Sequence, residues 1–337
     1  MKDKTKKFFG GLKGFLKIFL LILILGLNIF FAYPLLTGKA DTKNESYPEI
    51  IRVWQIDAFE GGKGSRTAYL RSVAQMFEKK NKNTLVLVTS HTAESAAYSI
   101  ERGEYPDLIS YGVGADFVAD YAIPLKNFNS PMCAVGNETV GVPWCRGSYF
   151  VFTKEGDFSD ISAENCVISQ GYGSLIRVGA ALAGVHGEFI VENTLNAYSQ
   201  FLNGKFKYMV GTQRDVSRFS SVNVNASFKV LTEFCDLYQY ISVLSKDTAT
   251  YNACLEFIGM LTSEKSQKNL EKYGLLSIKF PVYDAGQTML YEAQNVIPQY
   301  GISVFLSEEV RVKLDELAAA AMKGDAASLK KIKNYLV

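Results

Sequence analysis

The stretch from Ile50 to Arg66, IIRVWQIDAFEGGKGSR, constrains the fold more than any other part of the chain. Ile50, Ile51, Val53, Trp54 and Ile56 form a mostly apolar, β-branched run, the pattern of a strand buried inside a parallel sheet. Gly61, Gly62 and Gly64 interrupt further pairing, and Ser65 is placed to cap a helix that Tyr69, Leu70, Val73, Met76 and Phe77 continue at helical spacing. Thr84 to Ser90 repeats the strand, Ala96, Ala97 and Ile100 sit on a short helix ended by Gly103, and Pro106 to Gly112 supplies a third strand running into a glycine turn. Alternation at this spacing predicts a right-handed parallel α/β sheet. Ligand crevices in open α/β sheets lie beyond the carboxyl ends of the strands. Asp57, Glu60 and Arg66, then His91 and Thr92, then Tyr111, therefore fall along one candidate edge.

The glycine loop is not a phosphate loop of known type. Gly62-Lys63 is followed by Gly64 rather than Ser or Thr, and Ala58 stands where a Walker A loop requires its first glycine. The dinucleotide fingerprint fails as well, because Gly62-Lys63-Gly64 is followed by Ser65-Arg66-Thr67 with no third glycine. A tight connection without a ligand is the competing interpretation of the loop. Catalysis has little support elsewhere. His91 and His186 are the only histidines, neither in a metal-binding spacing, and Gly171-Tyr172-Gly173-Ser174-Leu175 lacks the register of a nucleophile elbow.

Ahead of this domain, residues 1–17 carry six lysines against one acid, Asp3, and Ile18 to Leu36 is then apolar except for Gly26, Asn28 and Pro34. Nineteen residues at helical rise reach roughly 28 Å, close to the thickness of a bilayer's hydrocarbon core. The basic leader is expected to stay cytoplasmic and to place the chain after Leu36 outside. A cleaved signal peptide is the alternative, with small residues at Gly38-Lys39-Ala40. The length of the apolar run and the aromatic end Phe30, Phe31 and Tyr33 favour a retained anchor. Residues 37–49 are polar and read as a flexible tether. The remainder is long enough for two domains and near charge balance, which argues against a nucleic-acid surface. Five cysteines, an odd number with no C-x-x-C pair, read as buried thiols, with one disulfide as the alternative in an oxidising exterior.

Pro143, between Gly141 and Gly147, interrupts a strand-like run from Glu138 to Thr153 and suggests a passage between two lobes. From here the order of motifs resembles that of extracellular solute-binding proteins of ABC importers, the two-lobed receptors that include sugar binders. Ile51 to Trp54 resembles the family's first strand, Phe77 to Asn81 the end of its first helix, and Gly103-Glu104-Tyr105-Pro106-Asp107-Leu108 its G-x-x-PD-hydrophobic element. Gly141 to Trp144 with Gly147-Ser148-Tyr149 resembles the first interlobe crossing. Phe201 to Met209 is similar to a helix-then-strand that ends in alanine-methionine in many members, Tyr208 replacing the alanine. Ile241-Ser242-Val243, Ala253 to Gln267 and Tyr273-Gly274-Leu275 resemble the return crossing and the helix after it.

The resemblance covers nearly all of residues 50–337. It implies an α/β, two-lobed periplasmic-binding-protein-like fold with a hinge of three crossings, preceded by one transmembrane helix. Lobe I is expected at 50–143 plus 241–297 and lobe II at 144–240 plus 298–337, with Asn295 to Pro298 as the third crossing. It also implies a receptor that closes on a small solute, a sugar or oligosaccharide, and hands it to an ABC permease, without a cofactor or catalysis. The contacts expected are Asp57, Glu60 and Tyr111 from lobe I, and Trp144, Arg146, Tyr172, Gln213 and Arg214 from the crossing and lobe II. Arg66, Arg146, Arg214 and Arg218 leave an anionic solute open as the alternative ligand. A tethered sensory or adhesion module using the same cleft is the alternative function.

Overall fold

In a computed structural model, the described residues are 47–337, Tyr172 excepted, together with the helical Leu23. The expected span at 18–36 and the leader before it otherwise lie outside them, and no described helix is long and apolar enough to cross a membrane. Residues 47–337 form one unit built on two five-stranded sheets.

The chain begins as its sequence suggests. Strand β1 (Ile50–Ile56) leads through the glycine loop to helix α1 (Arg66–Lys80), whose N-cap Ser65 accepts a hydrogen bond from the Ala68 amide. Strand β2 (Leu85–His91), helix α2 (Ala93–Glu101) and strand β3 (Leu108–Tyr111) come next, and β1 lies parallel between β2 and β3. A two-stranded ribbon, β4 (Ala134–Val135) and β5 (Glu138–Thr139), precedes β6 (Val142–Arg146). Pro143 is tolerated within β6 because that strand is the edge of the first sheet, where one side needs no ladder hydrogen bond.

After β6 only Gly147 and Ser148 intervene before β7 (Tyr149–Thr153), which belongs to the second sheet. This sheet continues with β8 (Cys166–Gln170), helix α3 (Ile176–Leu182), β9 (Ile190–Asn193), helix α4 (Thr194–Leu202), β10 (Tyr208–Thr212), helix α5 (Gln213–Ser221) and β11 (Ser227–Val230). Its order is β11-β7-β10-β8-β9, with β7 antiparallel to β10 and β11 and the pairs β10–β8 and β8–β9 parallel. Ile190 and Val191, both β-branched, pair with Val167 and Ile168 in β9, and Asn193 then caps α4.

The chain returns through 231–237 to β12 (Tyr238–Val243), which inserts antiparallel between β3 and β6. The first sheet therefore reads β2-β1-β3-β12-β6 and is mixed rather than wholly parallel. Helices α6 (Thr248–Leu261) and α7 (Glu264–Gln267) come after it, and Leu276 makes a single bridge to Arg146 at the edge of the first sheet. Beyond it, Tyr283 in the following loop and Leu290 on helix α8 (Thr288–Asn295) pack with Phe150, Phe152 and Phe219 in the core of the second sheet. The apolar face of α8 is thus buried by the second sheet. Helices α9 (Glu308–Met322) and α10 (Ala326–Lys333) complete the chain, α9 lying against α3.

Each sheet has its own apolar filling. Tyr69, Phe77, Trp144 and Phe257 are fully buried beneath the first, and each large side chain removed from water contributes about 1.5–3 kcal/mol. A further cluster runs without interruption from Trp54 and Tyr111 on the first sheet to Tyr149, Ile168 and Leu314 around the second. All five cysteines are buried and unpaired.

Candidate functional site

The loop after β1 carries the polar groups that the sequence places at the strand ends. Asp57 accepts hydrogen bonds from Arg66 Nε at 3.0 Å and Gln55 Nε2 at 3.0 Å. The Arg66 guanidinium also lies 4.3 Å from the centre of the Phe59 ring and donates to the Phe59 carbonyl. Asp57 is thus engaged in holding its own loop. Gly62 lets that loop seat on Gly274, where a Cβ at Gly62 would overlap the Gly274 backbone, and Lys63 N donates to the Tyr273 carbonyl at 2.7 Å.

Facing this loop is the N-terminus of α5. Thr212 caps it and forms a reciprocal pair with Asp215, whose carboxylate accepts from the Thr212 amide at 3.0 Å and from Arg218 Nη1 at 2.8 Å. Burial pushes the Asp215 carboxyl above its usual range, while those two hydrogen bonds pull it back only in part. Gln213 is fully buried; its Oε1 accepts from the Ser148 amide at 3.1 Å and its Nε2 donates to the Glu60 carbonyl at 2.9 Å. Arg214 donates to the Gly62 carbonyl. The Glu60 carboxylate accepts from Thr194 Oγ1 at 3.0 Å and from Arg218 Nη2 at 3.2 Å. Glu60, Gln213 and Arg214, three of the residues expected from sequence, therefore come together between the two sheets.

The other expected residues are placed differently. Tyr111 is fully buried, with its hydroxyl 2.8 Å from Ser242 Oγ and 3.1 Å from Cys133 Sγ. Trp144 is fully buried too, stacked on Tyr69 with centroids 5.2 Å apart and donating from Nε1 to Ser110 Oγ at 3.0 Å. Arg146 donates from Nη2 to the carbonyls of Ala293, Gln294 and Val296 at 2.9, 3.2 and 2.8 Å, a cation at the C-terminal end of α8. Polar atoms of all three are satisfied within the protein in this conformation. Tyr172 lies outside the described residues.

Several participants carried no sequence signal. Thr194 reaches Glu60 only because β9 sets the start of α4 beside the loop. Arg311, on α9, lies against two facing loops whose glycines leave it room. A Cβ at Gly114 would fall 3.4 Å from its Nη1 and one at Gly173 2.9 Å from it. Gln239 joins Gln55 and Ser110 in a buried polar cluster under β1, donating to the Ile56 carbonyl at 2.7 Å. Asp236, in the return passage, accepts from the Tyr149 hydroxyl and, at 3.2 Å, from the Leu175 amide, and burial raises its carboxyl above the usual range.

This arrangement gathers oriented donors and acceptors between the two sheets. Among the described residues no group of histidine, cysteine and acidic side chains is arranged to hold a metal. A cavity of about 120 Å³ lies elsewhere, lined by Ile168, Arg177, Phe189 and Met322. It is below the roughly 300–1,000 Å³ of ligand clefts.

No family model matches the sequence, and no curated protein sequence matches it. Solved structures do. The sugar-binding protein MalE from the phytopathogen Xanthomonas citri matches with a TM-score of 0.60 at 13% identity, over 85% of this chain and 95% of that one. The cyclic alpha-maltosyl-1,6-maltose binding protein from Arthrobacter globiformis matches with a TM-score of 0.57 at 10% identity, over 85% and 96%. Iron-bound HitA from Pseudomonas aeruginosa matches with a TM-score of 0.52 at 13% identity, over 86% and 99%. The chain shares the fold of two-lobed, periplasmic-binding-protein-like structures. At these identities the likeness concerns the fold, and proteins with different ligands share it.

Proposed function

We propose that the chain is an extracellular solute-binding receptor of an ABC importer, one that captures a sugar or oligosaccharide by hinge closure and presents it to a permease. The observation that carries this reading is the fold likeness to sugar-binding receptors over 85% of the chain. The geometry supports it. Groups from the loop after β1 and from the starts of α4 and α5 meet across the gap between two sheets, at the carboxyl ends of their strands. Closure excludes water there and strengthens polar contacts to whatever is enclosed. No covalent chemistry is required, and the receptor is not an enzyme.

Within this reading Ile18 to Leu36 anchors the protein in the cell membrane and residues 37–49 tether the domain outside. Lobe I comprises the first sheet with α1, α2 and α6, and lobe II the second sheet with α3, α4, α5, α8, α9 and α10. Gln213 and Arg214 face the solute from lobe II, Glu60 stands opposite them on lobe I, Tyr172 is a further contact, and Asp57 shapes the loop. Tyr111, Trp144 and Arg146 act through the packing behind it.

A thermal-shift series of the full chain against maltose, maltotriose and xylotriose tests the proposal. A ligand at ~100 times its dissociation constant adds about 2.7 kcal/mol of stability. A concentration-dependent rise in Tm with at least one saccharide is expected. No shift with any of them, repeated with acidic saccharides, overturns the sugar-receptor reading.

A further inference from the structure

The bonds between the two sides of the gap are unevenly distributed by chemistry. Four donors from the second sheet's side, Thr194 Oγ1, Gln213 Nε2, Arg214 Nη1 and Arg218 Nη2, converge on three acceptors of one short loop, Glu60 Oε1, the Glu60 carbonyl and the Gly62 carbonyl. Two of the donors are guanidinium groups. Arg218 is shared between Asp215 and Glu60, whereas Arg214 forms no ion pair among the described residues and meets only a backbone carbonyl. Glu60 uses one carboxylate oxygen; the other is enclosed and has no partner among the described residues.

We propose that the Glu60 carboxylate occupies the place of a negatively charged group on the solute, so that the receptor takes an acidic saccharide, one bearing a carboxylate or a phosphate. The inference rests on the receptor reading above and narrows its ligand class. Charge balance carries it. With Glu60 in place, Arg214 and Arg218 face Glu60 and Asp215, two cations against two carboxylates. When the loop withdraws to admit a solute, two guanidinium groups remain against Asp215 alone. Leaving a partly buried cation without its counter-charge is costly. An anionic solute restores the balance and accepts from the same four donors, with Arg214 and Arg218 suited to bidentate recognition of a carboxylate or phosphate. A neutral sugar cannot displace Glu60 without leaving that charge uncompensated.

Calorimetric titration of the full chain with digalacturonate, glucose 6-phosphate and maltotriose, before and after Glu60→Gln, tests this. At least one of the two anionic probes is expected to bind, more weakly as salt is raised. Glu60→Gln removes the internal competitor and is expected to tighten that probe by roughly tenfold, the worth of one charge-assisted hydrogen bond. Arg214→Gln is expected to weaken it without loss of thermal stability. The two anionic probes separate carboxylate from phosphate as the recognised group. Binding of maltotriose alone, indifferent to salt and to Glu60→Gln, overturns the acidic-ligand inference and leaves the receptor reading intact. An anionic probe that Glu60→Gln fails to tighten also overturns it. Binding of none of the three overturns both.

Discussion

Two of the places where the sheets meet are built differently. Around Gly147 the join is dry. Trp144 and Tyr149 are fully buried, the Gly147 amide donates to the Leu237 carbonyl at 2.7 Å, and Asp236 ties Tyr149 to the start of α3. Around Glu60 the join is ionic and half-exposed, with the Glu60 side chain 37% and the Arg218 side chain 13% accessible. The first is fixed by packing and by the burial of polar groups that must stay paired. The second can exchange one set of hydrogen bonds for another when it opens, provided the incoming partner also supplies the charge that Glu60 supplied. The proposed closing receptor calls for that division: one contact that persists and one that changes partners.

The contrast is tested most strongly at Trp144. Trp144→Ala leaves a large void beside Tyr69 and removes one of the two donors to the Ser110 hydroxyl, and is expected to cost about 3–5 kcal/mol in denaturant unfolding. A cost near that of a surface substitution would break the comparison. Next comes Asp236→Ala, which leaves the Leu175 amide buried without an acceptor and the Tyr149 hydroxyl with Ser174 Oγ alone, at about 1–3 kcal/mol.

The pH dependence sharpens the same point. Burial holds the Asp236 and Asp215 carboxyls above their usual range, so the folded protein retains protons that the unfolded chain releases. Stability contributed by these groups is therefore lost as pH rises through their raised folded values, and recovered on acidification toward the ordinary carboxylate range. Asp236→Asn is expected to flatten this part of the stability profile, measured as Tm against pH; an unchanged slope would remove Asp236 from the account. The smallest stability effect belongs to Glu60→Gln, within about 1 kcal/mol as for other solvent-screened pairs. Added salt should shift interlobe distance distributions, measured between spin labels on the two sheets, in the wild type and less so in Glu60→Gln.

Much of the candidate site was legible because it obeys local rules. A polar loop after a buried strand sits at a sheet edge, which located Asp57 and Glu60, and Gln213 and Arg214 follow the helix-then-strand element over 201–209. Residue type alone could not divide these by role. Asp57 and Glu60 are three residues apart in one loop, yet Asp57 turns back to Arg66 while Glu60 crosses to Arg218 and Thr194. Thr194 and Arg311 reach the gap from elements more than a hundred residues away, and no local pattern marks them. Aromatic character drew attention to Tyr111 and Trp144, which the fold encloses beside Ser242 and Ser110.

By itself the sequence determined the order of strands and helices through the first half, the cap Ser65, and the opening residues of the loop that faces the gap. These depend on hydrophobic period, β-branching and hydrogen bonds within a few residues, all of which act over short distances along the chain. Tertiary structure decided that β12 enters the first sheet antiparallel, that Pro143 lies on an edge strand, and that α8 belongs to the second core. It also decided that Arg146 closes the end of a helix about 150 positions away. Such outcomes turn on which surfaces find each other once the chain has collapsed, and that choice is made by pairing and burial between segments too far apart for their local sequence to specify.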